Sequence, residues 1–230
     1  MIGFYDYTVV LTYLSLLSAS FGIIISLSGT GHAYIGSFFL LFCGLCDAFD
    51  GKVARTKRDR SPDELNFGIQ IDSLSDLVAF GVLPACIGSA LLRSSPILSL
   101  LGEEFGPVCR MAVTSFLTAL LVLYILAALI RLAYFNVTEE TRQKEEGGVR
   151  KYYTGLPVTS ASLIFPFILL LNYIIPYDIT PVYFASAVFT GFAFIGKFRI
   201  KKPGLRGILI MIGLGAIEFL LMLIGKLLKC

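Results

Sequence analysis

Residues 33–55 read AYIGSFFLLFCGLCDAFDGKVAR. The stretch begins as an apolar run long enough to cross a bilayer, which takes about 20 helical residues. It ends in Asp47 and Asp50, three residues apart, then Gly51, Ala54 and Arg55. Carboxylates at the margin of a membrane are costly, and a chain that places them there usually uses them.

The rest of the chain shares this character. Of its 230 residues, 56% are hydrophobic and 15% charged, against about 25% charged in a soluble domain. The mean hydropathy is +0.81. The apolar residues come in blocks, which points to an all-α polytopic membrane helix bundle rather than a water-soluble globule. One integral domain over 1–230 is expected. Cys43 and Cys46 have the C-x-x-C spacing but lie in an apolar helix pattern, so they read as buried small hydrophobes rather than metal ligands or a redox pair. The start, MIGFYDYT, lacks the basic n-region of a cleaved signal peptide.

Seven apolar segments can be placed, at about 8–28, 33–55, 69–92, 109–135, 157–176, 179–196 and 205–226. The basic residues then set an orientation. Lys52, Arg55, Lys57, Arg58 and Arg60 follow the second segment. Arg131, Arg142, Lys144, Arg150 and Lys151 follow or end the fourth. Lys197, Arg199, Lys201, Lys202 and Arg206 follow the sixth. All three groups fall on one side, and the positive-inside rule makes that side cytoplasmic. Lys57, Arg58 and Arg60 read as topology determinants and anionic-lipid contacts. His32, the only histidine, falls on the opposite side and is a poor catalytic candidate.

The third segment opens FGIQIDSLSD (67–76), in which Gly68, Asp72 and Asp76 are spaced four and four and so share a helix face. Asp47, Asp50 and Ala54 share one on the preceding helix. The connection is short, so four carboxylates can converge at the inner membrane boundary. Two unit charges about 4 Å apart repel by about 4 kcal/mol at an effective dielectric near 20. Protonation, pairing with Lys or Arg, or a bound metal would each relieve this. The all-oxygen set favours hard divalent cations, Mg²⁺ or Mn²⁺. Two such ions shared by carboxylates from two helices would make a site for phosphoryl chemistry. A cation carrier also uses membrane carboxylates, but it would place them near mid-bilayer on broken helices.

These residues resemble the signature of the CDP-alcohol phosphatidyltransferase family, D-x-x-D-G-x-x-A-R followed by G-x-x-x-D-x-x-x-D. Asp47, Asp50, Gly51, Ala54, Arg55, Gly68, Asp72 and Asp76 fill every named position. The spacer TKRDRSPDELNF between Arg55 and Gly68 has twelve residues, where about eight are usual in the family; a polar loop tolerates such an insertion. The resemblance implies a core of six transmembrane helices, about 8–200, usually in a homodimer. The seventh segment, about 205–228, would be an addition. It implies transfer of a phosphatidyl group from CDP-diacylglycerol to an alcohol, with release of CMP. It makes Asp47, Asp50, Asp72 and Asp76 metal ligands for two divalent ions, with Asp76 also the general base. It places Asp47, Asp50, Gly51, Ala54, Arg55, Gly68 and Asp72 around the CDP-linked lipid.

Three further stretches, FGVLPA (80–85), IRLAYFN (130–136) and YYTGLP (152–157), resemble the membrane-embedded phosphatidylserine synthases within that family. Tyr134 stands where arginine is common there. L-serine carries a carboxylate and an ammonium, and its pocket needs a cation, best a bidentate arginine. Arg131 lies at about the depth of the aspartates, with Asn136, Lys151 and Tyr152 on the same side. Snorkelling to lipid headgroups is the alternative reading of Arg131. Glycerol 3-phosphate, an inositol phosphate or choline remain alternative acceptors. Membrane lipids are the expected surroundings, and no nucleic-acid partner is expected.

Overall fold

The computed structural model describes residues 3–29, 32–57, 59–145, 152–174, 177–201 and 205–228. After a short 3₁₀ turn at Tyr7–Val9, its helices are α1 (Val10–Leu27), α2 (Ala33–Ala54), α3 (Pro62–Asp76), α4 (Leu83–Ser94), α5 (Pro96–Phe105), α6 (Pro107–Glu145), α7 (Ala161–Ile174), α8 (Thr180–Ile195) and α9 (Leu205–Leu228). Four helical stretches are long and apolar enough to cross a membrane: Tyr7–Leu27, Ala33–Ala54, Pro62–Ser94 and Pro107–Glu139. Shorter apolar helices run over Val158–Asn172, Thr180–Ile195 and Leu209–Leu221. The chain is an all-α polytopic membrane bundle, as its hydropathy indicates.

α3 begins seven residues before the apolar segment placed at 69. Its start is a polar capping box: Ser61 Oγ accepts from Glu64 N at 3.2 Å, and Glu64 Oε2 accepts from Ser61 N at 2.8 Å. Pro62 occupies the first turn, where its missing N–H costs nothing. α3 then runs into α4 through a π turn at Leu77–Val82. Pro84 explains the turn, because proline has no N–H to give Phe80 O and its ring crowds that carbonyl. Tyr124 OH donates to Phe80 O instead, at 2.6 Å. Tyr183 OH donates to Pro84 O at 2.7 Å. Two buried tyrosines thus satisfy carbonyls around the irregular turn, which follows Asp76 directly.

The core is centred on Phe80, Leu83, Ile87, Phe165, Tyr183 and Phe194, all fully buried. The Tyr124 ring meets Phe165 edge-on at 5.5 Å, and Phe165 meets Tyr183 at 4.9 Å. Small residues let the helices approach, as they do in membrane bundles. A Cβ on Gly44 of α2 would lie 2.6 Å from Ser162 Cβ of α7. Leu17, Phe21, Phe116 and Phe189 are exposed, in keeping with contact with lipid tails.

The two ends of the bundle differ. At one end Arg93 Nη1 donates to Leu27 O at 3.0 Å, and Ser95 Oγ donates to Asp178 Oδ2. The link between α4 and α6 contains α5, which Ser95 caps and Gly106, at φ 86°, ends. The other end gathers the close of α2, the start of α3, the polar extension of α6 and two short strands. β1 (Tyr152–Thr154) pairs antiparallel with β2 (Arg199–Lys201), with Tyr153 opposite Ile200. Gly155, at φ 74°, turns the chain out of β1, where a Cβ would sit 2.7 Å from Phe194 O. Its N–H donates to Phe198 O at 2.8 Å, and Leu156 N donates to Ala193 O at 2.9 Å.

Candidate functional site

α2 carries Asp47 and Asp50 in its last two turns, and α3 carries Asp72 and Asp76 at its close. Asp50 and Asp76 are each 9% exposed; Asp47 and Asp72 are half-buried. The side chains of Asp50 and Asp72 are within hydrogen-bonding reach. Asp47, Asp50 and Asp72 all lie within electrostatic range of Asp76. Asp50 Oδ1 accepts from Gly51 N. The fold therefore brings together the four carboxylates that the spacing selects.

Among the described residues, no Lys or Arg forms an ion pair with them. The ion pairs nearby belong to Lys57, whose Nζ lies 2.7 Å from Asp6 Oδ2 and 2.9 Å from Glu64 Oε1. Four facing carboxylates without cationic partners need positive charge or protons to coexist. Oxygen donors in this number fit Mg²⁺ or Mn²⁺. Among the described residues, no group of three or more His, Cys, Asp or Glu side chains stands at metal-holding geometry.

The small motif residues are covered by arginines. Arg55, the C-cap of α2, folds back so that Nη1 lies 3.5 Å from where a Cβ of Gly51 would be. Arg60, in the loop between α2 and α3, lies over Gly68. Ala54 is the last residue of α2.

Arg131 of α6 is 6% exposed, so it does not snorkel to the lipid surface. Its Nε donates to Leu156 O at 3.1 Å, and its guanidinium lies 5.4 Å from the Phe135 ring centre. This joins the two stretches 130–136 and 152–157. Asn136 Nδ2 donates to Ser73 Oγ at 2.7 Å, one residue from Asp72. Lys151 lies outside the described residues, and of Tyr152 only the backbone, paired with Lys201, is described. His32 is the exposed N-cap of α2, at the opposite end of that helix from Asp47 and Asp50. Cys43 and Cys46 are buried and free.

Sequence reasoning missed Ser73, and it missed a brace formed by the segment before α1. Asp6 Oδ1 accepts from Thr8 N at 2.6 Å while Oδ2 takes Lys57. Tyr7 OH lies 3.2 Å from Thr56 Oγ1, and Arg60 Nη2 donates to Thr8 Oγ1 at 3.2 Å. Phe4 packs edge-on against Phe67 at 5.5 Å. The longer loop is held by this segment. The readable signal was Asp6-Tyr7-Thr8, a capping pattern ahead of an apolar run.

Comparison with known proteins adds a separate line. A family model described as CDP-alcohol phosphatidyltransferase matches residues 8–195. The chain is 34% identical over 142 residues to a CDP-diacylglycerol–serine O-phosphatidyltransferase of Saccharomyces cerevisiae, covering 60% of this chain and 43% of that protein. It is 28% identical over 144 residues to a protein of the same description from Helicobacter pylori, covering 62% and 49%. An archaetidylserine synthase of Methanothermobacter thermautotrophicus is 33% identical over 153 residues, covering 65% and 53%. The chain spans about half the length of these curated relatives. No solved structure gives a significant match.

Proposed function

The chain belongs to the CDP-alcohol phosphatidyltransferase family, and from that premise we propose that it transfers the phosphatidyl group of CDP-diacylglycerol to the hydroxyl of L-serine. The products are phosphatidylserine and CMP. The observation that carries this reading is the approach of two carboxylate pairs from consecutive helices, with Asp50 and Asp72 in hydrogen-bonding reach and no basic partner among the described residues.

Asp47, Asp50, Asp72 and Asp76 would hold two divalent ions. When bound, those ions supply charge neutralisation at the diphosphate and at the departing CMP. Asp76 takes the proton of the serine hydroxyl as its oxygen attacks the phosphorus that bears the diacylglycerol. The bond from that phosphorus to the CMP oxygen breaks, and CMP leaves with the electron pair. Arg55 offers a planar fork to a phosphate oxygen, and Gly51, Ala54 and Gly68, being small, leave room beside the helix backbones for the CDP-linked lipid and the arginines that lie there. Arg131 answers the serine carboxylate, supported by Leu156 O, with Asn136, Lys151 and Tyr152 completing the acceptor pocket. The relatives' descriptions name serine or archaetidylserine, which supports serine as the acceptor.

The basic flanks of the second, fourth and sixth segments support a cytoplasm-facing site. The homodimer that the family implies is tested by cross-linking in membranes. The reaction is tested by giving purified protein CDP-diacylglycerol with serine, glycerol 3-phosphate, an inositol phosphate or choline in turn. Serine alone should yield lipid product and CMP. Turnover of another alcohol without serine would overturn the acceptor. Cation flux into liposomes without CMP release would overturn the enzyme reading.

A further inference from the structure

The structure gives Arg60 a place that its position in the sequence does not suggest. It belongs to the twelve-residue spacer, among charges that read as topology determinants. In the fold it turns inward. Its Nη2 donates to Thr8 Oγ1 at 3.2 Å. The same nitrogen is 2.9 Å, and Cζ 3.8 Å, from where a Cβ of Gly68 would stand. The guanidinium therefore lies directly against the bare backbone of Gly68, in space that a Cβ there would contest.

Gly68 sits one helical turn before Asp72, on the same face of α3. On α2, Arg55 lies against Gly51 one turn before it, its Nη1 3.5 Å from where a Cβ would stand. Each glycine of the motif thus lies beneath a guanidinium, one from the end of α2 and one from the loop.

The hydrogen-bonding inventory of Arg60 is incomplete. Its Nε is buried without a partner among the described residues. A guanidinium has five N–H donors in a fixed fork, and one bond to a threonine hydroxyl uses little of that capacity. Lys57, three residues away, is already shared by Asp6 and Glu64. Among the described residues, Arg60 forms no ion pair with the nearby carboxylates. A half-buried fork with a buried, unpartnered Nε, lying against Gly68, is suited to an oxyanion with several oxygens on one phosphorus.

We propose that Arg60 is a ligand for the diphosphate of the CDP-linked substrate, reaching it from the loop between α2 and α3. This rests on the nucleotide substrate proposed above. The segment before α1 then acquires a role, because Thr8 steadies the arginine while Asp6 and Tyr7 hold the loop that carries it.

The test is calorimetric binding of CDP and of cytidine to the detergent-purified protein in Mg²⁺. Arg60→Gln should weaken CDP binding at least 10-fold and leave cytidine binding within about twofold. Arg60→Lys should fall between, keeping the charge and losing the fork. Thr8→Val removes the tether but not the guanidinium and should stay within about threefold of wild type for CDP. Unchanged CDP binding in Arg60→Gln would overturn the proposal. Equal losses for CDP and cytidine would also overturn it, since a packing role acts on both. A loss in Thr8→Val as large as in Arg60→Gln would reduce the arginine to a tether. Failure of the wild type to bind CDP at all would overturn the nucleotide reading itself, and the role of Arg60 with it.

Discussion

Asn136 Nδ2 on α6 donates to Ser73 Oγ on α3 at 2.7 Å. The helix that carries Arg131 is thereby pinned beside Asp72. The expected consequence is coupling between the acceptor side and the carboxylate side. Ser73→Ala and Asn136→Ala should each lower turnover by about 5-fold, a cost of about 1 kcal/mol for one lost hydrogen bond. The double variant should lose little more than either alone. A double-mutant cycle on kcat/KM measures this, and full additivity would show that the contact does not position the site.

The proposed two-ion role of the four aspartates predicts a reaction that depends on divalent ions. EDTA should abolish CMP release, and Mg²⁺ or Mn²⁺ should restore it. Asp50→Asn and Asp72→Asn should weaken the apparent metal affinity by at least about 10–100-fold. Metal titrations of activity read this directly. Full activity in EDTA would rule out the metal-holding role of the aspartates.

Gly155 connects the small sheet to Arg131 through its neighbour Leu156. An alanine there meets a left-handed backbone, costing about 1–2 kcal/mol, and a carbonyl at 2.7 Å from its Cβ. Gly155→Ala should lower the unfolding temperature and raise the KM for serine, because Leu156 O can no longer steady Arg131. Arg131→Lys should raise the serine KM without this thermal loss. The two profiles, measured side by side, separate the turn from the pocket.

The brace before α1 has a defined pH range. The hydrogen bond from Lys57, followed by that from Thr8, pulls the Asp6 carboxyl down from 3.8 to about 2. A carboxyl whose folded value is depressed contributes stability above its unfolded value, and loses it as pH falls through the folded one. The Asp6–Lys57 contribution is therefore complete above about pH 4 and gone below about pH 2. Asp6→Asn should be slightly less heat-stable than wild type at pH 6, and the difference should vanish near pH 2. Salt should shrink it, since the pair is partly exposed.

Much of this was legible before any coordinates. Long apolar runs announce membrane helices because hydropathy acts over about 20 residues. The aspartates stand out because carboxylates are rare in such runs, and their spacing shows which share a face. Shorter-range features escaped. Hydropathy is blind to the polar start of α3, although Ser61-Pro62-Asp63-Glu64 spells a capping box. β1 and β2 have three residues each, too few for an alternating pattern, and the whole of α7 and α8 lies between them in the chain. The Ser73–Asn136 contact depends on how α3 meets α6, which no local pattern encodes. Arg60 looked like one basic residue among several, because only the fold shows that its side chain turns back over Gly68.

The central claim is phosphatidyl transfer to serine at these carboxylates. The most direct test follows radiolabelled L-serine into chloroform-soluble lipid with purified protein, CDP-diacylglycerol and Mg²⁺, counting CMP in parallel. The account predicts one CMP for each serine incorporated, and about a 10²–10⁴-fold loss of both in a folded Asp76→Asn variant, the range for removing a general base. Labelled lipid in wild-type amounts from Asp76→Asn, or no labelled lipid from the wild type, would contradict it.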